Sequence, residues 1–510
     1  MFGKLFFNIA TSMLAFFVTS VIGLVLVPLL VHAYGLAGYG VATLARLFLP
    51  TAAFGLFDFG FGELATQAVA SARADGDWAC CGRRLRLGLI WAATIGAFSG
   101  AVMIGLAWWL PGWMKVDDSS QAGLSLVLAV TGALSPLLFA SLVFEGSIKG
   151  FENYVAQRRL EVLSTMAYAA SAVACVHAGL GVLWVCAAQL AALALRALLA
   201  FATAKRALRT HQVRLLRWTP DDRAWYRRRV NVMAANKALG ACQTQLAPLL
   251  LGFLLGPASV GAFDVLSRLP RVAKSILGLL SSTLLPVASR LETASDAQGM
   301  RRLSHTGMLL VGLAALPLLA AAMVFSEPTL RLWLGPTLSG RWVWQSLMYL
   351  VPAFTVLVGF GATALMVRPH AIAAMNRLIA LQLVIQFAVA FTALSSLQER
   401  AFILGQVCAV GITFFLQLRL IDAELGSGSA TYRRLLRLLG IMIVLAVPSL
   451  YGAPAISSIA QLVAAGLGYV IATWLLSVFV VLSAAHRQQL RSALLSTQGR
   501  ARQRLRRIRP

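Results

Sequence analysis

Apolar windows of about 20 residues recur along the whole chain, the length that crosses a bilayer as a helix. Hydrocarbon offers the backbone no water, so a spanning segment must satisfy its own N–H and C=O groups, as a helix does. With 59% hydrophobic and 12% charged residues, the 510-residue chain falls in the membrane class and outside soluble globules. The fold expected is an all-α polytopic membrane protein of about 14 transmembrane helices. Their centres fall near residues 20, 49, 98, 134, 169, 192, 243, 273, 315, 353, 385, 410, 443 and 470, and the limits are least sharp near 49, 169 and 443.

Net charge is +26, and its distribution predicts the topology. Arg and Lys gather in alternate loops: Arg73 with Arg83, Arg84 and Arg86; Lys149 with Arg158 and Arg159; Lys205 through Arg229; Arg290 with Arg301 and Arg302; Arg368 with Arg377; Arg433, Arg434 and Arg437; and the tail from Arg487 to Arg509. The intervening loops are short and hold few cations, such as Lys115, Arg331, Arg341 and Arg400. The cation-rich side is cytoplasmic by the positive-inside rule, and an even helix count puts both termini there. The basic tail "RARQRLRRIRP" raises nucleic acid as a partner. A juxtamembrane segment lying against anionic lipid is the simpler reading. Met1 to Lys4 runs into a full apolar span without a small-residue cleavage site, so helix 1 is expected to be retained. The six cysteines show no CxxC or Cys/His ligand spacing, so neither a disulfide framework nor zinc is implied, and no cofactor is expected.

The longest basic stretch, Lys205 to Arg229, reads as a linker between two lobes, and spacing repeats across it. Helix 1 opens with Asn8, reaches Pro28 and ends at "YGLAGYGVATLAR"; helix 7 opens with Asn231, reaches Pro248 and ends at "LGPASVGAFDVLSR". An offset of 221 puts Gly35 on Gly256 and Gly40 on Gly261, and brings Arg46 next to Arg268. The expected organisation is an N-lobe of helices 1–6 (1–204), a basic cytoplasmic linker (205–230), a C-lobe of helices 7–12 (231–421), helices 13–14 (436–484) and a basic cytoplasmic tail (485–510). Parallel or inverted repeats with a site at their interface are common in secondary transporters, and an even number of helices between matching points makes this repeat parallel. Gly96 with Gly100, and Gly252 with Gly256, form GxxxG pairs that read as close helix packing.

Enzyme motifs are missing: there is no GxxxxGK[ST], HExxH or GxSxG, and no intramembrane carboxylate pair within one helical turn. What stands out instead is "DVLSRLPRVAKS" at 264–275. The apolar run after it, Ile276 to Ser289, is too short to span alone, so the span must start near Val260 and carry Arg268, Arg271 and Lys274 with it. Each cation near the bilayer centre costs about 2.5–3.5 kcal/mol, so such a helix must face water or counter-charge. Asp264, Arg268 and Arg271 share one face, Lys274 sits at its edge, and Asp264 to Arg268 is an i,i+4 pair. Pro270 interrupts the same helix.

Other polar groups fall at membrane depth. Helix 2 carries Arg46; helix 7 carries Asn236, Lys237, Gln243 and Thr244; helix 1 aligns Asn8, Ser12 and Thr19. Together these helices are expected to line a hydrated, cationic vestibule, although Arg46 and Lys237 also lie near helix ends, where snorkelling is open to them. Arg196 is a weaker candidate, and Gln382 with Gln386 read as interhelical hydrogen bonds. Asp58 and Asp264 are the acids placed for a gate or for ion coupling. The sign of the charge discriminates among cargoes. A cation exporter needs buried acids, whereas a cationic cavity suits phosphate, which Arg grips with two N–H groups and Lys as a point charge.

The pattern of Asn8, Pro28, the "YGLAGYG" turn, "LFDFGFG" at 56–62 and "LRLWLGP" at 330–336 resembles the polysaccharide-transporter (O-antigen and exopolysaccharide flippase) family of the multidrug/oligosaccharidyl-lipid/polysaccharide exporter superfamily. The resemblance implies two six-helix lobes plus two helices in a bacterial inner membrane, both termini cytoplasmic. It implies a flippase, not an enzyme, that moves an undecaprenyl-diphosphate-linked oligosaccharide by alternating access for surface polysaccharide assembly. The diphosphate is then expected against Arg46, Lys237, Arg268, Arg271 and Lys274. The expected partners are the lipid-linked glycan, anionic membrane lipids and other polysaccharide-assembly proteins, and not nucleic acid. Two alternatives stay open: a flippase for a lipid-linked peptidoglycan precursor, and a cation-coupled small-molecule exporter of the same superfamily.

Overall fold

The computed structural model describes residues 2–49, 59–282, 288, 291–292, 294, 296–365, 368–426 and 428–481. Every regular element among them is helical. Eleven of the helices are long and apolar enough to cross a membrane, and they fall on eleven of the expected windows. The three windows outside that set are those near 49, 243 and 273. The first abuts residues 50–58, outside the described residues. The other two lie on helices of 35 and 26 residues, long enough at 1.5 Å per residue. The second of these carries Asp264, Arg268, Arg271 and Lys274.

The first helix, α1 (Phe2–Leu47), is two segments joined at Gly35, whose φ of 69° falls in the left-handed region. Next come α2 (Phe61–Asp75), α3 (Trp78–Ala107), the short α4 (Leu110–Trp113), α5 (Asp118–Gly150), α6 (Tyr154–His177), α7 (Val182–Thr210), α8 (Pro220–Leu254) and α9 (Pro257–Ser282). Gly256, between α8 and α9, also takes a left-handed φ of 90°. The two glycines that match at an offset of 221 therefore both take a positive φ, each directly before the start of a helical segment.

Those two helix starts cross at a symmetric contact. A Cβ on Gly40 would stand 1.8 Å from the carbonyl oxygen of Pro257, and one on Gly261 would stand 2.3 Å from that of Leu36. Leu36 and Pro257 are themselves 221 residues apart, so each helix lays its glycine on the first residue of the other. Backbones this close leave no room for a side chain. The Gly96/Gly100 pair packs as expected: Gly100 lies on the Gly132 carbonyl and Gly96 on Pro136, holding α3 against α5.

The chain forms two compact units, with boundaries inside helices. The first comprises the described residues up to Leu269 together with Phe387–Phe402. One of its cores gathers Phe61, Val69, Cys81, Leu85, Phe139 and Val143 from α2, α3 and α5. The second comprises the described residues from Pro270 to Gln386 and from Ile403 onward. Its core gathers Met300, Met308, Phe360, Leu365, Ile421 and Leu438. At one end Arg368 donates to Glu292 at 3.0 Å and to Glu424 at 3.2 Å.

Candidate functional site

The glycine crossing places the second segment of α1 against α9. Tyr39, Thr43 and Arg46 follow one another at i, i+4 and i+7, so they share a face of that segment. Asp264 and Arg268 sit one turn apart on α9 and meet them. The Tyr39 hydroxyl donates to Asp264 Oδ2 at 2.5 Å. Arg46 Nη2 stands 3.6 Å from the same oxygen and Arg268 Nη1 3.7 Å from it. Arg46 also donates to Thr43 Oγ1 at 3.4 Å.

The Asp264 side chain is only 3% exposed, while those of Arg46 and Arg268 are 31% and 23% exposed. Two features follow. Among the described residues one carboxylate faces two guanidiniums, so this group carries a formal surplus of one positive charge. The contacts at 3.6 and 3.7 Å are also longer than charge-assisted hydrogen bonds, which run at about 2.7–2.9 Å. The guanidiniums are attracted to Asp264 without being saturated by it.

Both arginines line a cavity of about 200 Å³ in the first unit. Thr19 and Gly23 border it from the first segment of α1, Thr165 and Tyr168 from α6, and Gln189 from α7. Arg268 runs directly over Gly23, with Nη2 about 3.0 Å from where a Cβ would be. Tyr39 and Thr43 line it too, and Leu26, Val27, Leu30 and Ala42 supply its apolar wall. The apolar part of the wall strengthens the field of the two cations, while the hydroxyls and Gln189 offer hydrogen-bonding groups to the cavity.

The remaining predicted residues separate. Lys237 is not part of this lining; its Nζ pairs with Glu63 Oε1 at 2.8 Å. Arg271 and Lys274 lie beyond Pro270, in the second unit, both half-buried. Asp58 and the side chains of Asn8 and Asn236 lie outside the described residues. Ser12 accepts from Arg158 Nε at 3.2 Å, and Thr244 is exposed and bonded back to the Gly240 carbonyl. Arg196 makes a two-pronged pair with Glu145, at 2.8 and 2.7 Å. Gln382 and Gln386 are buried, but Gln386 Oε1 finds no hydrogen-bond partner among the described residues.

Sequence reasoning missed Tyr39, Tyr168 and Gln189. The first left a signal, a tyrosine in helical register with Thr43 and Arg46 in an otherwise apolar segment. The other two are single polar residues on α6 and α7, with nothing local to mark them.

A family profile described as polysaccharide biosynthesis protein matches residues 5–292, more than half of the chain. No curated protein sequence matches the chain. Among solved structures, an inward-facing multidrug-resistance transporter of the MATE family is 14% identical, with a TM-score of 0.67 over 81% of this chain and 96% of that one. The lipid II flippase MurJ, in an inward closed conformation, is 12% identical, with a TM-score of 0.66 over 92% of this chain and 98% of that one. A superfamily transporter from Pyrococcus furiosus, described by the reverse polarity of its binding pocket, is 12% identical, with a TM-score of 0.58 over 83% and 96%. The fold is one that this chain shares with those solved transporters. This multi-pass membrane protein belongs to the polysaccharide biosynthesis protein family, and its fold is similar to that of a MATE transporter and of the MurJ flippase.

Proposed function

We propose that the protein is a flippase for an undecaprenyl-diphosphate-linked oligosaccharide in the bacterial inner membrane, serving O-antigen or exopolysaccharide assembly. The observation that supports this most is the charge surplus of Arg46 and Arg268 over Asp264 at a cavity among spanning helices. A cavity of about 200 Å³ is smaller than the roughly 300–1,000 Å³ of pockets that enclose a whole drug-sized ligand. It suits the diphosphate, with the glycan and the lipid tail held outside it.

In this reading Asp264 keeps the two guanidiniums in place while the site is empty. An arriving diphosphate takes up their N–H donors and forms charge-assisted bonds that the carboxylate does not make. Arg271, Lys274 and Lys237 serve as further cations along the path, Asp264 and Asp58 as gate or coupling groups. Transport proceeds by alternating access of two lobes, 1–204 and 231–421, with both termini cytoplasmic. A peptidoglycan-precursor flippase has the same diphosphate chemistry, and the full-length likeness to the lipid II flippase supports it as a second reading. It requires that loss of the protein stop growth, whereas the first requires loss of one surface polymer.

The test is thermal stability of the purified protein titrated with an undecaprenyl-diphosphate oligosaccharide, its dephosphorylated analogue and a cationic drug. A ligand at 100 times its Kd stabilises by about 2.7 kcal/mol. We expect this from the diphosphate alone, and we expect the Arg46→Ala/Arg268→Ala variant to lose it. Stabilisation by the drug alone, or a diphosphate response unchanged in the variant, overturns the reading.

A further inference from the structure

The basic stretch 205–229 runs from the last turns of α7 across the connection into α8, and the fold fastens it within the first unit. Residues 205–229 hold nine Lys and Arg against Asp221 and Asp222. His211 stacks on Trp78 and on Phe151, with ring centroids 4.9 and 4.8 Å away. The Arg214 carbonyl passes so close to Gly82 that a Cβ there would stand 1.9 Å from it. Leu208 and Val213 pack into the core around Phe61 and Cys81, and Trp218 packs beside Tyr226. Thr219 and Asp222 then close a capping box at the start of α8, and Arg83 donates to Asp222 at 2.9 Å. The segment is a strap with a defined inner face.

Its outer face has a different composition. Arg206, Arg209, Arg214 and Arg217 are exposed, and none is ion-paired among the described residues. Between the last two lie Leu215 and Leu216, 45% and 41% exposed. Adjacent leucines bracketed by arginines make a surface with both an apolar and a cationic component. Its location is equally specific. α7 is a candidate span of 29 residues, about 43 Å long at 1.5 Å per residue, against a hydrocarbon core of about 30 Å. The strap comprises the last turns of α7, from Lys205, and the connection after Thr210, where such a helix leaves the hydrocarbon for the headgroups.

We propose that the outer face of this strap binds anionic phospholipid, Arg206, Arg209, Arg214 and Arg217 meeting headgroup phosphates while Leu215 and Leu216 enter the acyl boundary. Anionic leaflets attract juxtamembrane basic segments, and shallow apolar insertion adds to that attraction. An acidic protein would also satisfy the arginines. The pair of leucines next to the end of a span favours lipid. The inference is independent of the cargo proposed above, because none of these residues touches the Arg46–Asp264–Arg268 cavity.

The test uses full-length protein in nanodiscs, with Leu216→Cys in a background whose six native cysteines are alanine, carrying a nitroxide label. Collision rates with oxygen and with a water-soluble nickel complex report depth. In a bilayer containing phosphatidylglycerol we expect oxygen to dominate. In pure phosphatidylcholine, or with Arg214→Gln/Arg217→Gln, nickel access is expected to rise several-fold. A label equally open to nickel in both bilayers overturns the proposal, and is the result that an acidic protein partner predicts. If the cysteine-free background does not fold, hydrogen exchange of residues 211–219 in the unaltered protein replaces the label. Slower exchange in the anionic bilayer is then expected, and equal exchange in both overturns the proposal.

Discussion

Two arginine sites in the first unit place cations among spanning helices in opposite ways. On α7, Arg196 meets Glu145 of α5 through two parallel bonds of 2.8 and 2.7 Å, one charge against one charge. At the crossing of α1 and α9, Arg46 and Arg268 share the single carboxylate of Asp264, both beyond 3.5 Å. The first site is balanced: one guanidinium meets one carboxylate through two parallel charge-assisted bonds. The second, among the described residues, sets two guanidiniums loosely against one carboxylate at a cavity. Membrane-depth charge is common to both sites; stoichiometry and bond length are what separate them.

The balanced pair predicts the largest effect. Arg196→Ala leaves Glu145 in a site where its side chain is only 12% exposed, without the partner that neutralised it. Breaking a buried pair from one side costs about 3–5 kcal/mol, whereas replacing both members with apolar residues is close to neutral. Thermal unfolding in detergent should show a large loss for Arg196→Ala and recovery in Glu145→Leu/Arg196→Met, with ligand response intact in the double variant. A double variant as unstable as the single one would mean the pair does more than cancel charge.

The second effect comes from the geometry that builds the Asp264 site. Gly40→Ala puts a methyl group 1.8 Å from the Pro257 carbonyl oxygen, a backbone atom that cannot rotate away. Overpacking of this kind costs about 1–3 kcal/mol. It should also separate Tyr39 from Asp264, and diphosphate binding should fall with stability. Gly261→Ala, its counterpart at the Leu36 carbonyl, should act alike. Unequal losses measured side by side would argue against the symmetric crossing.

Asp264→Asn acts on the surplus itself. Asparagine keeps an acceptor for Tyr39 and removes the countercharge of two arginines. Because those arginines are 31% and 23% exposed and already loosely held, the cost should be about 1–2 kcal/mol, below that of Arg196→Ala. Diphosphate affinity should rise, since the competitor for the guanidiniums is gone, while transport should fall as release slows. A variant that binds diphosphate more weakly would show that Asp264 organises the site without competing in it.

Much of this was readable in the chain, and what was not has a common cause. Apolar windows are local, so eleven spans fell where hydropathy put them. The turn glycines were readable because they recur at one offset with the same proline-and-arginine neighbours. Asp264 and Arg268 were joined in advance, because i,i+4 spacing on a helix is local too. Arg46 reaches the same carboxylate from 218 positions away, and Tyr39 from 225. No periodicity carries that. Lys237 shows the converse. Its composition and depth matched those of a cavity cation, but a partner at position 63 takes it up. The match of Arg196 with Glu145 was hidden in the same way, since counting cations in a span says nothing about an acid on another span.

A third cluster sharpens the comparison with the smallest effect. Asp222 also faces two arginines, Arg83 at 2.9 Å and Arg84 at 3.6 Å, so its stoichiometry is that of Asp264. Its bonding differs: it also accepts from the Thr219 backbone N–H at 3.0 Å and hydroxyl at 2.8 Å, as half of the capping box that starts α8. Burial pushes its carboxyl up, but the Thr219 bonds and the Arg83 guanidinium outweigh burial and hold it below the usual carboxylate value. A carboxylate depressed in the folded state adds stability that is complete above its ordinary pKa of about 3.9 and disappears as pH falls through the lower folded value. Asp222→Asn should therefore cost about 1 kcal/mol at neutral pH, the size of a cap and a helix-terminus charge. Unfolding followed from neutral to acid pH should show a constant gap between the two proteins that closes only in the acid limb. Because this carboxylate is saturated by its own helix start, adding an anion should leave the gap unchanged, whereas at Asp264 the same anion should alter the difference between acid and amide. An anion-dependent gap at Asp222 would mean that stoichiometry alone makes a site, and that bond saturation, the property separating the two arginine sites, carries no weight.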